Sequence, residues 1–142
     1  MMVHMVHTQR HEVSTRGQGD AHDITSAVVA AVHASSIGAG LATVFVAGST
    51  AAVTTIEFEP GAVADFNALL ETLAPRGADY RHHARWGDDN GSSHVRAALL
   101  GPSVTVPIVE GRLTLGTWQQ IMLLELDTRG RRREIVVQVI GE

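Results

Sequence analysis

The chain contains no cysteine, so neither a disulfide framework nor a thiolate metal site is open to it. Lysine is missing as well. All eleven basic residues are arginine, a bias that, alongside abundant alanine and valine, reflects codon usage and carries no functional meaning. Positive charge is in deficit: the formal net charge is −4 and the pI is near 6.0. That argues against a general nucleic-acid binder, which needs a basic surface. No glycine-rich dinucleotide fingerprint, P-loop or H-E-x-x-H zinc motif occurs. Long apolar runs are absent too. The opening "MMVHMVHTQRHEV" has no uninterrupted hydrophobic segment and reads as a strand, not a signal peptide. "LATVFVA" is too short to span a bilayer. These absences predict a cytoplasmic chain with neither a membrane nor a nucleic-acid partner.

What is present suits one globular domain over residues 1–142, with 44% apolar and 18% charged residues. Residues 2–16 alternate between apolar and polar groups and predict an opening strand. "GQGDAHD" reads as a loop ending in Asp23, a helix N-cap. Ile24, Ala27, Val28, Ala31, Val32 and Ser35 follow at helical spacing, and Gly38 and Gly40 are expected to stop that helix. "LATVFVA" (41–47) and "AAVTTIEFE" (51–59) read as strands. Pro60-Gly61 opens a second helix, with Val63, Phe66, Leu69, Leu70 and Leu73 as its buried face, ended by Pro75 and Gly77. A short helix from about Ser92 to Leu100 is followed by a hairpin turning at Glu110-Gly111. "WQQIMLLELD" and "REIVVQVIGE" read as two last strands joined through the arginine-rich "TRGRRR". The sum is α+β: about seven strands, two longer helices and one short one, without βαβ alternation.

Chemistry concentrates in "YRHHARWGDDNGSSH", residues 80–94. Where cysteine is missing, imidazole and carboxylate are the available metal ligands, and His82, His83, Asp88, Asp89 and His94 supply them. The alternative is a solvated loop before an ordinary helix capped by Asn90 or Ser92. His94 has Ala97 and Ala98 beside it on that helix, which leaves open volume next to the imidazole. In an extended segment His82 and His83 point to opposite faces. Glu57 shares a strand face with Val53 and Thr55. If that face is buried, its carboxylate needs a histidine or a metal; otherwise it is a strand-end group in water. Glu125, beside Ile121 and Leu123, lies either on an outer face or inside for a reason. "AGST" (47–50) offers amides and the hydroxyls of Ser49 and Thr50 as an anion nest, or is a plain turn. "RGRRR" (129–133) reads as a solvated hairpin tip that could also meet phosphate.

Several motifs in fixed order now stand together: Asp88, Asn90 and His94; "LLGPS" at 99–103; "GTWQ" at 116–119; and the closing "VQVIGE". With "DIT" at 23–25, the "VFV" strand and Glu57, they closely resemble the YjbQ family over nearly the whole chain. The resemblance implies an α+β fold with a large, strongly bent mixed or antiparallel sheet, and a homotrimer. It also implies secondary thiamine-phosphate synthase activity, which joins an aminopyrimidine diphosphate to a thiazole phosphate and releases pyrophosphate. One position departs: Gly48 stands where many family members carry histidine. His82, Asp88, Asn90, His94 and Glu57 match the family's polar positions, and Trp118 with Gln119 would form a second pocket wall.

The expectation is therefore a metal-assisted enzyme acting on a small phosphorylated metabolite. His82, His94, Glu57, Asp88 and Asn90 are its catalytic candidates. Ser49, Thr50, Trp118 and Gln119 would contact substrate, and His82, His94 and Glu57 would hold a divalent zinc or magnesium ion. The competing expectation is a non-catalytic trimeric module that binds an anionic metabolite or a partner protein in the same cleft.

Overall fold

The computed structural model describes residues 4–142, which form eight strands and four helices. β1 (Met5–Ser14) occupies most of the predicted opening strand, whose residues 2 and 3 lie outside the described region. β2 (Ala21–Asp23), α1 (Thr25–Ser35), β3 (Gly40–Val46), β4 (Ala51–Ile56) and α2 (Pro60–Leu73) follow. Then come α3 (Arg81–Trp86), α4 (Gly91–Leu100), β5 (Ser103–Val109), β6 (Arg112–Leu113), β7 (Gln120–Glu125) and β8 (Arg132–Gly141). The strands make two sheets, ordered β1-β8-β3-β5-β6 and β2-β7-β4, and every pairing described is antiparallel. No helix among the described residues is long and apolar enough to cross a membrane.

Period-two alternation builds the larger sheet. Ala42, Val44 and Val46 of β3 face inward opposite Val139, Val137 and Ile135 of β8, and all six are buried. Val28, Ala31 and Val32 of α1 close over this face, together with Ala51, Val53, Ile121 and Leu123 from the second sheet. β7 is buried along both faces. Ile121 and Leu123 join that core, whereas Met122, Leu124 and Leu126 join a second one with Ala52, Leu70 and Ala97. A strand closed in on two sides reads as a continuous apolar run, as "IMLLEL" does.

Local chemistry sets the ends of the elements, not always where the pattern points. Asp23 is not the N-cap of α1: Ile24 holds that position, and Asp23, one residue earlier at the end of β2, accepts the Thr25 amide at 2.9 Å through its Oδ1. That helix ends at Ser36 in the left-handed region, φ 57°, before either glycine. Gly40 has a different task. A side-chain carbon there would lie 2.0 Å from the Ile140 carbonyl, so the close crossing with Gly141 requires its absence. β4 stops at Ile56 because Glu59 becomes the cap of α2, accepting the Gly61 and Ala62 amides at 2.8 Å each. Glu110 and Gly111 both have positive φ, 51° and 74°, as a tight two-residue hairpin demands.

Three expectations are corrected. Leu69 and Leu73 are 52% and 58% exposed; α2 buries only Leu70, with Val63 and Phe66 half-covered, because the three-stranded sheet beneath offers a narrow face. β7 and β8 are not neighbours, since they belong to different sheets. "TRGRRR" is therefore a crossing between sheets and not a hairpin tip, and it carries Arg133 into the interior. Finally, β2 and α3 form where loop was expected.

Candidate functional site

Because Arg81–Trp86 is a helix, His82 and His83 diverge by a helical rotation and take up different work. His82 Nδ1 lies 3.0 Å from Asp88 Oδ1, and its ring centroid is 4.4 Å from that of His94. His83 turns away and caps α4: its Nε2 accepts the Gly91 amide at 2.9 Å, which places its proton on Nδ1. Gly91 permits this packing, since a side-chain carbon there would meet Tyr80 Cβ at 2.4 Å and His83 Nε2 at 2.9 Å. Gly87, in the left-handed conformation at φ 65°, ends α3 and returns Asp88 toward His82.

The neighbouring polar residues are tied to the segment after β7, Asp89 at the surface and Asn90 half-buried. Asp89 accepts the Thr128 hydroxyl at 3.1 Å, and Asn90 donates to Asp127 over a long 3.4 Å. Asn90 does not cap α4 through its side chain, and its Oδ1 is buried without a partner, as is Ser93 Oγ. The open volume expected beside His94 exists. It is a cleft of about 260 Å³ bounded by Gly48, Ser49, Ala51, His94, Ala97 and Ala98. Ser49 is exposed on its wall, whereas Thr50 is buried beneath, its hydroxyl donating to Asp127 and accepting from Arg133 Nη2.

A buried ionic layer supports this end of the molecule. Glu125 is closed to solvent; its Oε1 accepts Arg133 Nε at 2.9 Å and the Thr15 hydroxyl, and its Oε2 accepts Arg133 Nη2. Arg133 Nη2 also donates to the Thr50 carbonyl at 2.9 Å, tying β8 to the 47–50 loop. Burial pushes the Asp127 carboxyl up, but hydrogen bonds from Arg131, the Thr128 amide and Asn90 outweigh it and hold the group below its ordinary range. Sequence reasoning did not find Arg133 or Asp127. The signal was available: a lone carboxylate in an apolar strand needs a cation, and the arginines eight residues on supply one.

Glu57 is not part of this group. It is exposed just past the end of β4, six residues beyond Ala51, which lines the cleft; at about 3.3 Å per residue that is roughly 20 Å away. Trp118 and Gln119 belong to Glu57's end. Trp118 is 72% exposed, and Gln119 donates to Thr55 at 3.2 Å and accepts the Gly116 amide at 3.0 Å. Gln119 also lines a separate cavity of about 570 Å³ with Val29, His33 and Arg112. The predicted residues thus divide: His82, Asp88, Asn90, His94, Ser49 and Thr50 at one end, Glu57, Trp118 and Gln119 at the other. Among the described residues no three histidine, aspartate or glutamate side chains are placed to share a metal ion.

Comparison with known proteins adds the wider setting. The family model described as "UPF0047 protein YjbQ-like" matches residues 9–142. A UPF0047 protein of Methanothermobacter thermautotrophicus is 41% identical over 96% of this chain and 94% of its own. One from Synechocystis is 38% identical over 92% of this chain and 88% of its own. The crystal structure of a YbjQ-like protein of unknown function from Sulfolobus solfataricus superposes with a TM-score of 0.92 at 35% identity, covering 99% of this chain and 100% of that one. A hypothetical protein from Aeropyrum pernix gives a TM-score of 0.86 at 33% identity, covering 95% and 98%.

Proposed function

We propose, for a chain that belongs to the YjbQ-like UPF0047 family, that the cleft beside His94, with His82 packed against that histidine, is an active site for a small phosphorylated metabolite. The observation that carries the reading is the close imidazole pair, centroids 4.4 Å apart with the rings tilted by 41°, one member of which is held by a carboxylate. Asp88 fixes His82 with its proton on Nδ1, leaving Nε2 able to accept a proton from substrate. His94, at the mouth of the cleft, is the second proton carrier and, when protonated, offsets charge on a departing diphosphate. Such a pair suits the joining of an aminopyrimidine diphosphate to a thiazole phosphate with release of pyrophosphate, as in secondary thiamine-phosphate synthase.

A zinc or magnesium ion fits this chain only in part. His82 and His94 would give it two nitrogens, and its charge would neutralise a leaving diphosphate. Glu57, at the far end of β4, cannot be its third ligand within one subunit, so the acid–base roles above are assigned without it. Pyrophosphate release from the paired substrates tests the reading, run with and without added divalent metal and repeated on His94→Ala. Turnover that the variant loses supports it; no turnover under any of these conditions ends it.

The second reading is a binder without catalysis. It is favoured by Gly48, which leaves the 47–50 loop with no imidazole facing His94. Tight binding of the substrates with no product would select it. In either case we propose a soluble, cytoplasmic homotrimer. What supports self-association is the outer face of the larger sheet, where Val6, Ile140, Leu41 and Pro107 stand side by side in exposed register across four strands.

A further inference from the structure

We infer that Arg133 and the loop covering it form an anion site that takes the phosphoryl group of the cleft's ligand. The Arg133 side chain is 7% exposed and engages two of its three nitrogens fully: Nε and Nη2 bind Glu125, and Nη2 also binds Thr50. Nη1 has no partner among the described residues. Nor is it one of the buried atoms left unsatisfied, which are Asn67 Oδ1, Asn90 Oδ1 and Ser93 Oγ, so solvent reaches it.

Gly48 makes that opening. A side-chain carbon at 48 would lie 2.7 Å from Nη1, so the guanidinium edge occupies the space that any other residue would fill. Gly48 adopts φ 139°, a conformation that other residues rarely take. The backbone amides of residues 48, 49 and 50 also have no acceptor among the described residues. Two free guanidinium N–H groups, unpaired loop amides and the exposed Ser49 hydroxyl therefore share one short loop, and Gly48 and Ser49 border the His94 cleft. Glu125 balances the charge of Arg133, so the site recruits an oxyanion through unpaired donors and not through net positive charge. Planar N–H geometry of this kind matches phosphoryl oxygens.

What the phosphoryl group is attached to rests on the reading of the cleft beside His94 given above; the anion site itself does not. Inorganic phosphate is the probe. Titrated into the full chain, it shifts the amide signals of residues 48–50 and the Arg133 guanidinium signal in two-dimensional NMR spectra. Gly48→Ala, which sets a methyl group against Nη1, weakens phosphate binding about tenfold or more by calorimetry, the loss expected for a charge-assisted contact. Should that variant fold poorly, the wild-type spectra decide alone. Unmoved signals at saturating phosphate, or a folded Gly48→Ala that binds as wild type does, overturn the assignment. Phosphate bound here without pyrophosphate release from the paired substrates removes the catalytic reading and leaves the anion site standing.

Discussion

Arg133 and Glu125 meet through two hydrogen bonds, Nε to Oε1 and Nη2 to Oε2, with 7% and 0% of their side chains exposed. Neither charge can be left alone at that depth. Glu125→Gln or Arg133→Met strands its partner, and each variant is expected to lose about 3–5 kcal/mol in urea unfolding. Replacing both with apolar residues of similar volume is expected to cost less than the worse single change. A double-mutant cycle that showed the two losses simply adding would mean the pair is not coupled.

Asp20 contributes to acid sensitivity. Burial raises its pKa, but hydrogen bonds from the Arg16 and His22 side chains and the Arg16 amide overcome this and hold the carboxyl at about 2, below the ordinary 3.8. The unfolded chain therefore takes up this proton first as pH falls. The stabilisation is complete above about pH 4 and drains away between there and pH 2. Asp20→Asn should flatten that segment of the curve of melting temperature against pH. An unchanged slope between pH 4 and 2 would remove Asp20 from the account.

Gly91 holds α3 against α4. Gly91→Ala places a methyl group into Tyr80 and the His83 ring, a clash expected to cost about 1–3 kcal/mol. Its more telling effect is local. His82 moves with α3 and parts from His94, so imidazole carbon shifts should change for both rings and not for His33 on α1. A variant with native His82 and His94 signals would show that α3 is placed by other contacts.

Leu41 and Phe45 test assembly. They are 49% and 41% exposed on the outer sheet face, in line with Val136 and Ile140 of β8. Leu41→Glu with Phe45→Glu should reduce the mass found by light scattering to that of one chain without lowering helix or strand content. If the wild type already scatters as a monomer at two well-separated concentrations, the trimer reading fails.

Regular patterning made the strands around the core legible. β3 and β8 alternate with little interruption, and Glu110-Gly111 declares its turn outright. Short elements were harder: three residues in β2 and six in α3 are too few for a period to show. Strand parity left open which of His82 and His83 pointed inward, and a helix resolved them by sending one ring to His94 and the other to the Gly91 amide. The convergence of His82, Asp88 and His94 was visible as a dense polar segment because they lie close in the chain. Glu57 was misplaced relative to them for the opposite reason: sequence alone does not say which end of β4 meets the cleft. Arg133 looked solvated among its neighbours, and only the sheet crossing draws it under the 47–50 loop.

β7 is shared property, with alternate side chains committed to opposite cores. Neither half of the molecule can therefore melt while the other survives, since losing either one strips a face from the same strand. Heating should yield a single transition by every probe, and the slowest-exchanging amide protons should sit between Ile121 and Leu124.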